Sequence, residues 1–86
     1  MPDRKEIEVR VVVNGRPVEV KVNVEELVIK LTEEALRKSG NTGQPASNWE
    51  LRDASGTILD PTRKIESYHI EQGATLFLNL KAGIGG

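Results

Sequence analysis

Few side chains in this sequence are equipped for chemistry. There is no cysteine and a single histidine, His69. A thiol nucleophile, a paired-thiol redox centre and a thiolate-bound metal are therefore excluded. His69 lies in "ESYHIEQG", with no second imidazole and no evident carboxylate set to share a metal or a proton with it. The stretches "NTGQPAS" and "DASG" lack the glycine spacing that cradles a phosphate, and Glu33 with Glu34 reads as a solvated helix face. With no nucleophile–base pair, metal cluster or matched carboxylates, the chain is not expected to be an enzyme. What remains is the closing stretch "LNLKAGIGG", Leu78 to Gly86. Glycine lends nothing to a core and weakens regular structure, so Gly85 and Gly86 point to another use. Lacking β-carbons, they offer slenderness and flexibility in place of packing.

The composition narrows the function classes. A net charge of −1 gives no bulk attraction to nucleic acid or anionic lipid. The aromatic residues, Trp49, Tyr68 and Phe77, are too few for a base-stacking surface. The polar start "MPDRKE" is followed by no apolar run that would serve as a signal segment or a membrane span. The expectation is a cytoplasmic monomer that binds neither nucleic acid nor membrane. At 86 residues, one domain with a small core and no disulfide is expected.

Any such tail needs a body to carry it. In "IEVRVVVNGRPVEVKVNV", Ile7, Val9, Val11 and Val13 alternate with Glu8, Arg10 and Val12, and Val18 to Val24 repeat the period of two. This predicts two strands with one buried face, joined by a tight turn at Asn14-Gly15. The period then lengthens: Val24, Leu27, Val28, Leu31 and Ala35 form one face of a helix. Asn23 is its expected cap, with Glu26 reaching back, Glu25 and Glu26 in its first turn, Arg37 and Lys38 in its last, and Gly40 as its stop. "NWELR" is a third strand, "TILDPT" a very short one, and "RKIESYHIEQG" a 3₁₀ turn and loop anchored by Ile65, Tyr68 and Ile70. In "ATLFLNLK", Leu76, Leu78 and Leu80 point one way and Phe77, Asn79 and Lys81 the other. One helix cannot cover both sides of a sheet, so each strand keeps one wet face. The predicted fold is α+β: a β-grasp, with a mixed four- to five-stranded sheet, one helix on one face, and the first and last strands parallel at its centre. The expected boundaries are a flexible start over 1–6, the domain over 7–81 and a flexible tail over 82–86.

The segment "RKIESYHIEQGATLFLNLKAGIGG" resembles the C-terminal third of ubiquitin. Ser67-Tyr68-His69-Ile70 stands where ubiquitin has Asp-Tyr-Asn-Ile, Thr75-Leu76-Phe77-Leu78 where it has Thr-Leu-His-Leu, and both chains close on Gly-Gly. Hairpin, helix and Leu59 match in position, so the likeness runs from Ile7 onward. The chain is similar to the ubiquitin-like modifiers of bacterial operons that also encode activating and conjugating enzymes and a JAB-type protease. The resemblance implies that Gly86 carries a carboxyl activated by adenylation and thioester transfer and then joined to amines of target proteins. It implies that Gly85 supplies clearance, and that Lys81, Ala82, Gly83 and Ile84 are read by the activating enzyme. A processing protease, JAB-type or other, completes the expected partners. This chain would bind no cofactor or metal; ATP and Mg²⁺ belong to the activating enzyme. Two alternatives stay open: a sulfur carrier bearing a thiocarboxylate on the same residue, and a β-grasp interaction module with an idle tail. The tail departs from ubiquitin in carrying one basic residue, Lys81. The outer face departs as well: ubiquitin's apolar receptor patch aligns with Asn14 or Gly15, Arg52 and Asn79. Val12 and Phe77 are expected beside them as a partner surface.

Overall fold

The structure, a computed structural model, describes residues 5–83. Strands β1 (Glu6–Val13) and β2 (Arg16–Asn23) form a hairpin paired from Val13↔Arg16 to Glu6↔Asn23. Its turn is Asn14-Gly15, with φ of 52° and 84°. Both values are positive, as a two-residue hairpin turn requires, and asparagine and glycine tolerate them best. Strand β3 (Trp49–Arg52) runs antiparallel to β4 (Thr75–Leu80), and β4 runs parallel to β1 through Arg10↔Thr75 to Val13↔Leu78. The sheet has four strands in the order β2-β1-β4-β3, so the first and last strands occupy its centre. The "TILDPT" stretch makes one bridge, Arg52↔Ile58, in place of the short strand its sequence allows. Pro61 and the turn it begins end the extended run there.

Alternation decides which face is dry. Val9, Val11, Val13, Val20, Val22, Leu51, Leu76 and Leu78 are buried on the side where helix α1 (Val28–Ser39) packs. The helix contributes Val28, Leu31, Thr32, Ala35 and Leu36, and Leu59 and Ile65 close the core from the loops. Gly40, at φ 76°, stops α1, with Arg37 and Lys38 in the last turn as expected.

The start of α1 corrects the sequence reading. Asn23 and Glu26 do engage each other: the Asn23 N–H donates to Glu26 Oε1 (3.4 Å), and the Glu25 N–H donates to Asn23 Oδ1 (2.8 Å). The pair closes a turn, however, and α1 begins only at Val28, with no acidic residue in its first turn. The cause is tertiary. Leu27 is extended (φ −75°, ψ 151°) and bridges to Lys64. The N–H groups of Val28 and Ile29 then donate to the carbonyls of Arg63 (2.8 Å) and Pro61 (3.1 Å). Helix amides that a side-chain cap would satisfy are satisfied by another loop. A 3₁₀ turn at Ala46–Asn48 leads into β3. Tyr68 anchors as expected: its hydroxyl accepts the Asp60 N–H at 2.8 Å, and the Arg63 guanidinium sits 5.3 Å from its ring centre.

Two predictions follow from this packing. Leu78 is fully buried at the sheet centre. Leu78→Ala is expected to cost about 2–5 kcal/mol in urea unfolding, through lost burial and the cavity left behind. A cost under about 0.5 kcal/mol would contradict the strand parity. The second concerns acid. Hydrogen bonds from Ser55 and Thr57 hold the Asp53 carboxyl below its ordinary value of 3.8, and Thr62 does the same for Asp60. Lowered folded values mean that the unfolded chain binds more protons, so this stabilisation is complete above the ordinary value and is lost as pH falls through the lowered ones. Asp53→Asn should therefore reduce the fall in unfolding midpoint between neutral pH and pH ~3. An unchanged fall would assign the acid sensitivity elsewhere.

Candidate functional site

Because β4 is a central strand, whatever follows Leu80 leaves from the middle of the sheet. The Lys81 N–H still donates to the Asn48 carbonyl (2.9 Å), fixing the root of the tail against the 3₁₀ turn before β3. Lys81, Ala82 and Gly83 are all exposed. Gly83 has φ 87°, and no atom lies within 4 Å of where a Cβ would stand. Its glycine is therefore required by backbone conformation, not by lack of room. Ile84, Gly85 and Gly86, expected to carry recognition and conjugation, lie outside the described residues.

A groove that sequence reading missed opens beside Lys81. It measures about 330 Å³ and is lined by Val28, Ile29, Trp49, Ile58, Pro61 and Lys81. Ile58 at its lip is 49% exposed. The available signal was Ile58 itself, an apolar residue of parity opposite to the buried Leu59. Trp49 is 7% exposed, and its indole Nε1 is enclosed with no acceptor among the described residues.

The outer sheet face brings together part of the expected partner surface. The registers Val12↔Phe77 and Phe77↔Arg52 put these residues in one row, which Pro17 extends onto β2. Phe77 is 38% exposed. The Arg52 guanidinium is held by Glu50 (2.9 Å) and the Gly56 carbonyl (3.3 Å). Asn79 belongs to the next row, opposite Glu50. The face is thus an apolar strip of Pro17, Val12 and Phe77 ended by a paired arginine, and it is separate from the tail root. His69 adopts φ 55° as the stop of the 3₁₀ turn Ile65–Tyr68. No cluster of three or more potential metal ligands occurs among the described residues. None of their helices is long and apolar enough to cross a membrane.

Known proteins share this architecture. A de novo designed protein based on ubiquitin superposes with a TM-score of 0.80 at 24% identity, over 96% of this chain and 98% of that one. The ubiquitin of Caldiarchaeum subterraneum superposes with a TM-score of 0.74 at 20% identity, over 94% of this chain and 99% of that one. At such identities the likeness establishes the fold, a ubiquitin-like β-grasp. In sequence, the uncharacterized protein y4jI of Sinorhizobium fredii is 44% identical over 80 residues; these make up 93% of this chain but 62% of that protein. The family described as "Protein of Unknown function (DUF2604)" matches residues 2–86. The chain therefore belongs to the DUF2604 family and builds it on a ubiquitin-like fold.

Proposed function

We propose that this chain is a ubiquitin-like protein modifier whose working group is the carboxyl of Gly86, either encoded last or exposed by a protease. The observation that carries the reading is the tail root: a central strand parallel to β1, a backbone tether at Lys81 that is the last among the described residues, and exposure of Lys81, Ala82 and Gly83. Five residues follow that tether, Ala82 to Gly86. Fully extended, at about 3.3–3.6 Å each, they reach roughly 17 Å from the body. That reach would let an activating enzyme enclose the reacting carboxyl while touching only the rim of the domain.

The chemistry asked of the tail is acyl activation. The carboxylate attacks the α-phosphorus of ATP, and pyrophosphate leaves. A thiolate of the activating enzyme then displaces AMP to give a thioester, and a target amine displaces the thiol to give an amide. The modifier contributes reach, clearance at Gly85, and recognition through Lys81 to Ile84. The cytoplasm, with its ATP, is the proposed compartment.

The test is thioester formation with a cognate activating enzyme, followed by mass spectrometry of the product. Removing Gly85 and Gly86 should abolish transfer without altering the unfolding midpoint, and Gly85→Val should slow it sharply by crowding the channel and stiffening the backbone. An isopeptide on a lysine supports the modifier. A product in which sulfur replaces one carboxyl oxygen would make the chain a sulfur carrier. Activation of the truncated chain at the intact rate would refute both.

The outer face yields a further expectation. Receptors that bury an apolar patch at the positions of Arg52 and Asn79 would have to desolvate a paired guanidinium there. NMR titration with common ubiquitin-binding domains should show no saturable shifts at these residues at high micromolar concentration. Tight binding centred on Arg52 would overturn the surface assignment.

A further inference from the structure

Among the described residues, the outer edge of β2 pairs with no further strand and is the feature left without a role. In a hairpin closed by a two-residue turn, the flanking pair Val13↔Arg16 is hydrogen-bonded, and bonded and non-bonded pairs then alternate. Pro17, Glu19, Lys21 and Asn23 therefore turn their backbone groups away from β1, toward the open edge. Two observations agree. The N–H groups of Arg10 and Asn14, which have the matching parity on β1, donate across to Ala74 and Leu78. On the open side, Lys38 Nζ reaches over from α1 and donates to the Glu19 carbonyl at 3.0 Å.

Exposed edges recruit other strands unless they are blunted, and this one is blunted at three of its four positions. Pro17 has no N–H to offer. The N–H and carbonyl of Asn23 are both engaged by Glu26, its side-chain Oε1 and its backbone N–H (2.9 Å) respectively. Lys38 occupies the carbonyl of Glu19. Among the described residues, the remaining window is the Pro17 carbonyl, the Glu19 N–H and both backbone groups of Lys21.

We propose that this window is a guarded strand-addition site for β2 of a second copy of the chain, and that Lys38 is the guard. An antiparallel pairing that sets Glu19 opposite Lys21 of the second copy makes each pair exchange two backbone hydrogen bonds, and the two-fold axis repeats the exchange. On the outer face, Glu8 lies beside Lys21 and Arg10 beside Glu19 within each copy. The junction then reads Glu8, Lys21, Glu19 of the second copy, Arg10 of the second copy: alternating charge across four strands. Shifting the register by two residues either way sets Glu19 against its own equivalent, or Lys21 against its own, and like charges directly opposite oppose pairing. The matched register also leaves Pro17, which has no N–H to donate, facing Asn23, whose N–H and carbonyl are already engaged, so only the Pro17 carbonyl is left to solvent there. In this arrangement the Lys21 N–H of the second copy needs the Glu19 carbonyl that Lys38 holds, so the intact guard keeps the chain monomeric.

Sedimentation velocity on the full chain tests this. Lys38→Met should self-associate at least tenfold more tightly than the unaltered protein. In that background, Lys21→Glu should remain monomeric, and so should Glu19→Lys, since each places like charges opposite one another. Mixing these two double variants should restore dimers, because their junction is again charge-matched. Unfolding midpoints no lower than that of the unaltered protein, measured at dilutions where every variant is monomeric, would exclude loss of fold as the cause. The proposal is overturned if Lys38→Met stays as monomeric as the unaltered chain, even if it captures an unrelated peptide strand. It is equally overturned if Lys21→Glu associates undiminished or the mixture fails to pair.

Discussion

Everything in this molecule is arranged around the parallel contact between β1 and β4. A parallel pair cannot be closed by a hairpin; it needs a crossover, and here the chain between them contains β2, α1, β3 and the 3₁₀ turns Ala46–Asn48 and Ile65–Tyr68. That single topological demand puts the helix on one face and the two hairpin-like edges on either side. It also leaves the chain after Leu80 emerging from the middle of the sheet. The valines of β1 and the leucines of β4 make the contact worthwhile, since Val9, Val11, Val13, Leu76 and Leu78 are all buried there.

The loop Asp60–Ile65 is the second constraint, and it acts through backbone groups. It supplies carbonyls to the first amides of α1, bridges to Leu27, and inserts Ile65 into the core. Ile65 and Glu66 in turn donate to the carbonyls of Glu26 and Val24. Helix start and loop thus satisfy one another, and neither needs the side-chain cap that a free helix would use. The apolar groove beside Lys81 is bounded by these same pieces, so the shape of the surface at the tail root depends on this mutual closure.

How much of this was legible in the sequence follows from how local each signal is. The hairpin, its Asn14-Gly15 turn, the Gly40 stop and the inward parity of β4 depend on neighbours within a few residues, and they read directly. The start of α1 did not, because the partners of Val28 and Ile29 lie more than thirty residues away, at Arg63 and Pro61. The 57–62 stretch offered strand-forming residues, but only Ile58 bridges; proline and tertiary packing overrode propensity. For the surface, alternation sufficed to turn Val12, Arg52, Phe77 and Asn79 outward, whereas only the register could put Val12, Phe77 and Arg52 in one row and Asn79 in the next. The guarding of the β2 edge was illegible for the same reason: Lys38 and Glu19 are brought together by the packing of α1 on the sheet.

The same parallel pair fixes how the domain would respond to force. If a partner grips the chain beyond Lys81 and the opposing load enters ahead of Glu6, the pull runs along two strands that point the same way. Bonds such as Arg10 to Ala74 and Asn14 to Leu78 then bear the load together, in shear, instead of parting one after another as in a peeled hairpin. Tension between those two points therefore loads the β1–β4 contact in shear, whereas tension drawn through the Asn14-Gly15 turn would open the hairpin from its end.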